Sequence, residues 1–181
     1  MKERITTRRI VEIAFFSAIV ILFMATGEVP IFSHVGLIFI EIPIALMYIK
    51  RGVKDSIITI ILSTVGCTIL FGIGNGITAL AFTCFVGLPL GWGMKRGNIK
   101  TILVVSIGLI LAIFFMFGIK FYINSGVSIS EYLMMIKSLK LIFIILIIAH
   151  AILGAVLLRF ITKIIFRKLN VKVYKKENYY T

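Results

Sequence analysis

Acidic side chains are scarce in this sequence. It contains seven Asp and Glu residues against twenty Lys and Arg, and Asp55 is the only aspartate. This scarcity excludes the paired aspartates of many hydrolytic sites, and the sequence has neither an HExxH motif nor a serine in a glycine elbow. A Walker motif is also missing, so the chain cannot hydrolyse ATP by itself. We therefore expect no catalytic residues and no enzyme activity.

Cysteine and histidine are equally rare, with two residues of each. Cys67 and Cys84 lie inside apolar segments, and we interpret them as small buried residues, because nothing in their spacing suggests a disulfide or a metal pair. His34 and His150 are far apart in the chain, with no cysteine or carboxylate at ligand spacing. No metal site and no other cofactor is therefore predicted.

Hydrophobic residues make up 60% of the chain, the mean hydropathy is +1.12, and only 15% of residues are charged. Soluble domains carry about 25% charged residues. The apolar residues form six continuous runs, each near the roughly 20 residues that cross a bilayer as a helix. We predict an all-α membrane protein, a single domain (1–181) whose first run is a retained helix. The predicted transmembrane helices are 10–26, 31–49, 56–71, 77–94, 101–122 and 139–162.

The lysines and arginines cluster between these runs. If the amino terminus is cytoplasmic, 17 of the 20 lie on that side, and only Lys120, Lys137 and Lys140 lie outside. This alternation follows the positive-inside rule. It predicts a multi-pass protein of the cell membrane, with both termini in the cytoplasm and a basic tail, 163–181. We attribute the net charge of +13 to orientation and to contact with anionic lipid, and expect no nucleic-acid partner.

One acidic residue, Glu41, lies near the middle of the second apolar run, two residues before Pro43. A charged side chain in hydrocarbon costs about 3 kcal/mol or more, so Glu41 should face the bundle interior, pair with another group or stay protonated. His150, near the middle of the sixth run, is the first candidate partner, and His34 is the second. Two interpretations stay open: a polar tie between helices, and a ligand contact or proton-carrying group.

A second polar set falls at or near the predicted outer ends of the helices. A small hydrophilic solute captured from outside would need such groups, with aromatic rings to stack on it. The alternative is that these residues only anchor the protein at the membrane surface, with tyrosines in the aromatic belt and lysines that extend their charged ends into water. The segment between the fifth and sixth runs is amphipathic and could cap a cavity. The candidate substrate-binding residues are Glu28, His34, Asn75, Lys120, Tyr122, Asn124, Glu131, Tyr132 and Lys137.

Small residues recur at a spacing of four. Gly72 and Gly76 form one such pair and Gly87 and Gly91 another, a pattern that favours close helix packing. The stretch FGIGNG, 71–76, is predicted to be a tight outer turn. In the first run, AFFSA places small side chains on one helix face, which suits close approach by a neighbouring helix or a partner subunit.

Two segments carry a family resemblance. TTRRIVEIAFFSAIVIL (6–22) and IEIPIALMYIKRGVKDSIITIILSTVG (40–66) resemble the first three helices of the substrate-capture subunits, or S components, of energy-coupling factor transporters. The shared features are a basic lead-in, an alanine-xxx-alanine face matched by Ala14 and Ala18, and a proline segment that runs into a basic glycine turn. A set of uncharacterised bacterial membrane proteins is similar in the same way.

The resemblance implies a function. Such subunits bind a vitamin-type micronutrient near the extracellular surface, and they dock through the alanine face, here Ala14 and Ala18, on a transmembrane coupling subunit driven by two cytoplasmic ATPases. We expect this protein to be the capture subunit of such an importer. The alternatives are a stand-alone proton-coupled carrier that uses Glu41 and His150, and a scaffold that binds neighbouring membrane proteins without transporting a solute.

Overall fold

Six α-helices account for nearly all of the residues that the computed structural model describes, which are 6–27, 39–125 and 141–168, without the side chains of 117–125 and 141–144. No strand occurs in these ranges, so the all-helical prediction is confirmed there. The helices are α1 (Thr7–Gly27), α2 (Glu41–Arg51), α3 (Val53–Phe71), α4 (Ile73–Met94), α5 (Asn98–Ser125) and α6 (Leu141–Lys168).

Five of these helices, all except α2, are long and apolar enough to cross a membrane. The described part of α2 has 11 residues and is therefore about 16 Å long, roughly half of a bilayer's hydrocarbon core. Residues 31–38 of the predicted second helix lie outside the described residues. The predicted orientation, with both termini in the cytoplasm, stays a prediction.

Helix α2 begins at Glu41, ten residues after the predicted start at 31, and the other helix boundaries differ from the predictions by up to six residues. The FGIGNG stretch is not a loop: α3 ends at Phe71, α4 begins at Ile73, and Gly72 alone connects them with a φ of 87°. Gly52 connects α2 to α3 in the same way, with a φ of 94°. Only glycine adopts such angles without strain, which is why one residue suffices to reverse the chain. At the other end of the chain, α6 continues to Lys168, beyond the predicted end at 162.

The short helix α2 lies at the centre of the bundle. It packs against α1, α3 and α4, and α4 in turn packs against α5, which pairs with α6. One apolar cluster joins Ile42 and Ala45 of α2 to residues of α4, α5 and α6, and a second joins Ile44 to residues of α1, α3 and α4. Both faces of α2 are therefore buried.

The outer helices present large apolar side chains to their surroundings. Ile10 and Leu22 of α1, Ile69 of α3, Leu103 of α5 and Phe160 of α6 are each more than half exposed. A soluble protein rarely leaves so many such residues uncovered. The pattern fits helices whose outer faces contact lipid.

Candidate functional site: a cleft beside Glu41

Glu41 occupies the first position of α2, and local sequence explains why the helix begins there. Ile40 is a turn residue that separates helical Phe39 from α2. Pro43 has no backbone N–H with which to reach the Phe39 carbonyl, and its ring would clash with that oxygen, so a continuous helix is broken at this point. The break places Glu41 at a helix N-terminus, where unpaired backbone N–H groups favour an acidic side chain.

The Glu41 side chain is buried inside the bundle but incompletely satisfied. The residue is only 1% exposed, which confirms that it faces the interior. Its Oε2 atom has no hydrogen-bond partner within the described part of the chain. Most buried polar atoms in proteins have a partner, so an exception calls for an explanation. A cleft next to Glu41 offers an explanation.

A partly open cleft of about 550 Å³ lies next to Glu41. It is formed by side chains of α2, α4, α5 and α6, and its volume lies within the 300–1,000 Å³ typical of small-molecule sites. Glu41 and His150 are the two titratable residues among the described ones that line it. The described lining residues are Glu41, Phe82, Leu109, Ile113, His150, Ala151, Leu153, Gly154, Leu157, Leu158 and Ile161.

Glu41 marks how far the cleft lies from the charged end of α2. Glu41 is ten residues from Arg51 along α2, so the two ends of this helix are about 15 Å apart. That is half the thickness of a typical hydrocarbon core. If Arg51 lies at the membrane surface, as its charge predicts, the carboxylate is near mid-depth.

A π-helical turn, Thr83–Gly87, interrupts α4 directly after the cleft residue Phe82. π-Helical turns are rare in proteins as a whole, but those that occur are often at functional sites. Glycines bring neighbouring helices close to it: a Cβ on Gly108 would lie 1.8 Å from the Phe85 carbonyl oxygen, and one on Gly87 would lie 3.0 Å from Ile44 Cβ. The helices around the cleft are thus held together by backbone contact.

Three of the four glycines predicted to pack closely do so. Gly87 and Gly91 both face α2, where a Cβ on Gly91 would come within 2.6 Å of Tyr48 Cβ. A Cβ on Gly76 would lie 1.9 Å from Thr68 Oγ1, across the junction of α3 and α4. These close contacts confirm the interpretation of the GxxxG spacing for Gly87 and Gly91; in the other pair only Gly76 packs closely, because Gly72 is the connector between the helices and has no neighbour within 4 Å.

The predicted outer binding set is only partly described. Asn75 is half-buried, and its amide donates a 3.0 Å hydrogen bond to the Phe71 carbonyl, which helps to close the α3–α4 junction. The side chains of the α5 residues Lys120, Tyr122 and Asn124 lie outside the described part. Glu28, His34, Glu131 and Tyr132 also lie outside the described residues, so the outer pocket stays a prediction.

The small residues of α1 do not share one face. Ala14 and Ala18 are exposed on the outer side of the bundle. Ser17 points inward, where its hydroxyl donates a 3.3 Å hydrogen bond to the Thr59 carbonyl of α3. The grouping of Ser17 with the alanines was therefore wrong: at about 100° per residue, Ser17 is rotated by about 100° from Ala18 and by about 60° from Ala14, which is enough to place it on the buried side of the helix.

Sequence reasoning missed a group of paired charges at the opposite end of α2. Arg9 of α1 forms an ion pair with Asp55 of α3, in which Nε of Arg9 lies 2.9 Å from each carboxylate oxygen. Asp55 is only 3% exposed. Its position as the only aspartate, inside a basic turn, was the available signal. We call this region, Arg9, Glu12, Lys50, Arg51 and Asp55, the charged end.

Glu12 is the second carboxylate of the charged end. It accepts hydrogen bonds from Lys50 at 2.9 Å and Arg51 at 2.6 Å, both on α2, and from Arg8 at 3.3 Å. The hydrogen bond to Glu12 raises the pKa of Arg51, which therefore stays charged. These bonds connect α1 to the end of α2.

The remaining polar candidates form no recognisable centre. Cys67 and Cys84 are both free thiols, and Cys67 is buried. Within the described ranges, no three His, Cys, Asp or Glu side chains come together in a way that could hold a metal ion. Among the described residues, the Glu41 cleft is accordingly the feature best suited to bind a small molecule.

Comparison with known proteins gives one match. A family model described as "Predicted membrane protein (DUF2232)" matches residues 17–140. No curated protein and no solved structure matches the chain. The matched segment includes Glu41, the π turn and the α5 wall of the cleft, and it ends before α6.

Proposed function

Since this chain belongs to the DUF2232 family of predicted membrane proteins, we propose that it is a membrane-embedded solute-binding protein, the capture subunit of an ATP-driven micronutrient importer. In this proposal the cleft beside Glu41 holds the solute within the bundle. The outer residues predicted from the sequence, among them Glu28, His34 and Tyr132, are expected to make the first contacts with the solute. The protein itself performs no chemistry, and energy comes from partner subunits.

The observation that supports the proposal is the unpartnered Glu41 oxygen beside the cleft. Leaving a buried polar atom without a hydrogen bond costs about 1–3 kcal/mol, and more for a charged group. A bound molecule with a suitable donor would recover that free energy. The fold therefore holds an acceptor ready for an occupant, at some expense to its own stability.

The exposed face of α1 suits the docking step of the same proposal. Ala14 and Ala18 lie on the outer side of the bundle, one turn apart. Their small side chains would let a helix of a transmembrane coupling subunit approach closely. Two cytoplasmic ATPases would then drive release of the solute, with the whole assembly in the bacterial plasma membrane.

Thermal unfolding of the purified protein against a panel of vitamins and related micronutrients tests the proposal. A thiol-reactive fluorophore can report unfolding, because Cys67 and Cys84 are free and lie within helices. A ligand present at a hundred times its Kd stabilises the folded state by about 2.7 kcal/mol. At least one member of the panel should raise the midpoint of unfolding.

A pair of glycine variants ties any stabilisation to the cleft. A Cβ on Gly154 would point at Leu109, another lining residue, at 3.3 Å, so Gly154→Leu fills the cleft. Gly74 has no neighbour within 4 Å, so Gly74→Leu is the matched control. Stabilisation should disappear in the first variant and persist in the second. A panel that stabilises neither wild type nor control would contradict the proposal.

One observation favours a second candidate, a proton-coupled carrier. Glu41 and His150 line the same cleft, so a proton and a solute could share it. Such a carrier would accumulate solute in liposomes without other proteins when a pH gradient is imposed, and Glu41→Gln would abolish uptake. Uptake that requires the added coupling subunit and ATPases would exclude this candidate and favour the capture subunit.

A further inference from the structure

We infer that the occupant of the cleft is an apolar amine: a molecule with a hydrocarbon or aromatic body and one cationic amino group that pairs with Glu41. The inference rests on the proposed function, because it names the class of solute for the same cleft. It follows from the composition of the cleft wall and from the distribution of charges around Glu41.

The wall of the cleft selects for an apolar body. Of the described residues that line it, nine are apolar, with Phe82 and Leu109 from two helices and a series of aliphatic side chains from α6. A polar group moved from water to such surroundings loses its hydrogen bonds and gains none. Sugars, nucleotides and other solutes with many polar groups are disfavoured here, because the wall offers them only Glu41 and His150 as described polar side chains.

The charges of the bundle leave Glu41 without a cation. Lys50 and Arg51 bind Glu12, and Arg9 binds Asp55. Lys95 donates a 3.3 Å hydrogen bond to the Tyr48 carbonyl and lies 5.0 Å from the centre of the Tyr48 ring. Across the described residues, therefore, no lysine or arginine forms an ion pair with Glu41.

A cation supplied by the ligand completes this arrangement. A buried carboxylate without a counter-ion is strongly destabilising, and buried charges in proteins are normally paired with an opposite charge. Hydrogen bonds in which both partners are charged are roughly twice as strong as neutral ones. An ammonium group seated against Oε2 would satisfy the unpartnered acceptor, while the rest of the molecule fills the apolar space.

Matched amines and alcohols test this inference. The probes are tryptamine with tryptophol, 2-phenylethylamine with 2-phenylethanol, and 4-phenylbutylamine with 4-phenylbutan-1-ol. Each pair has the same body and differs in whether the polar group is cationic. Binding is measured as the concentration dependence of the unfolding midpoint, with the full chain in lipid nanodiscs so that partition into detergent does not interfere.

Two carboxylate variants provide the contrast. Glu41→Gln keeps the size of the side chain and removes the charge. Glu12→Gln makes the same change at the charged end, where Glu12 already binds Lys50 and Arg51. We expect at least one amine to bind wild type tenfold or more tightly than its alcohol. Glu41→Gln should lower its affinity at least tenfold and leave the alcohol unaffected, and Glu12→Gln should change neither.

Several results would overturn the inference. Amines and alcohols that bind equally would mean that Glu41 recognises a neutral donor. An amine whose affinity survives Glu41→Gln would be bound elsewhere, or by the membrane. If no amine binds but a micronutrient does, and Gly154→Leu abolishes that binding, the ligand class is wrong and the proposed function stands. If neither amines nor micronutrients bind, both proposals fail.

Discussion

The carboxylates near the two ends of α2 differ in whether they have ion-pair partners. At the charged end, Glu12 and Asp55 are each held by arginine, and Glu12 by a lysine as well, across the contacts between α1, α2 and α3. At the other end, Glu41 is as deeply buried as Asp55, yet one of its oxygens has no partner within the described residues. The charged end uses acids to join helices, whereas the cleft keeps an acceptor available.

Glu12 and Asp55 therefore stabilise the fold, whereas the unsatisfied oxygen of Glu41 lowers its stability. Natural sequences tolerate local conflicts of this kind mainly at functional sites. If both ends responded to mutation in the same way, this difference between them would not exist. The variants below test it, from the largest expected loss of stability to none.

The largest effect is expected from Asp55→Asn. The side chains of Asp55 and Arg9 are 4% and 19% exposed, so the variant removes one charge from an ion pair that is largely buried. Breaking a buried pair in this way costs about 3 kcal/mol or more. Chemical or thermal unfolding measures the loss.

A neighbouring residue and a double variant control this result. Lys54 is exposed and precedes Asp55, so Lys54→Gln should have little effect. Replacing both members of the pair, as in Arg9→Met with Asp55→Leu, should cost less than Asp55→Asn alone, because neither charge of this pair is then left in the buried site. Equal losses in the double and single variants would show that the ion pair does not hold this end together.

A smaller loss, about 2 kcal/mol, is expected from Gly108→Ala beside the cleft. The added methyl group would meet the Phe85 carbonyl in the π turn, a backbone atom that cannot move aside as a side chain can, and overpacking of this kind costs 1–3 kcal/mol. Gly74→Ala, with open space around it, should instead gain up to about 1 kcal/mol of helix propensity. Unfolding measurements that rank the two variants the other way would refute the close approach of α4 and α5.

Hydropathy and charge were sufficient to predict the helical class and the inward position of Glu41, because lipid penalises exposed backbone and bare charge alike. The joint presence of Glu41 and His150 in one cleft could be suspected, since few other polar groups lie in the apolar runs. The Arg9–Asp55 pair could not be predicted, since its members are 46 positions apart and one sequence carries no contact map.

Composition also could not predict that Ser17 points into the bundle and Ala14 points outward. Which side of α1 meets α3 depends on packing partners that a hydropathy pattern does not identify. The π turn of α4 was missed for a related reason: its extra residue per turn is imposed by contacts with α2 and α5, and Thr83–Gly87 has no sequence signature of its own.

A loss of about 1 kcal/mol is expected from Glu12→Gln. Glu12 is partly accessible, with its side chain 14% exposed, and its partners Lys50 and Arg51 are more so. Ion pairs at such sites contribute little individually and are screened by salt. The loss measured in low salt should therefore shrink in 1 M salt, whereas the loss in Asp55→Asn should persist. If the loss of stability did not depend on salt, Glu12 would be shielded from solvent more than its exposed fraction indicates.

No loss is expected from Glu41→Gln, and Glu41→Leu should stabilise the empty protein. Gln removes the charge and keeps the shape, and Leu removes the unsatisfied oxygen altogether while adding apolar contact with the cleft wall. The measurement is the unfolding midpoint of each variant without ligand, compared with Asp55→Asn under the same conditions. If Glu41→Gln were as destabilising as Asp55→Asn, the Glu41 carboxylate would have a partner that joins helices, and the two ends of α2 would be alike after all. A stable variant that binds no solute would instead show that this acid is kept for its ligand.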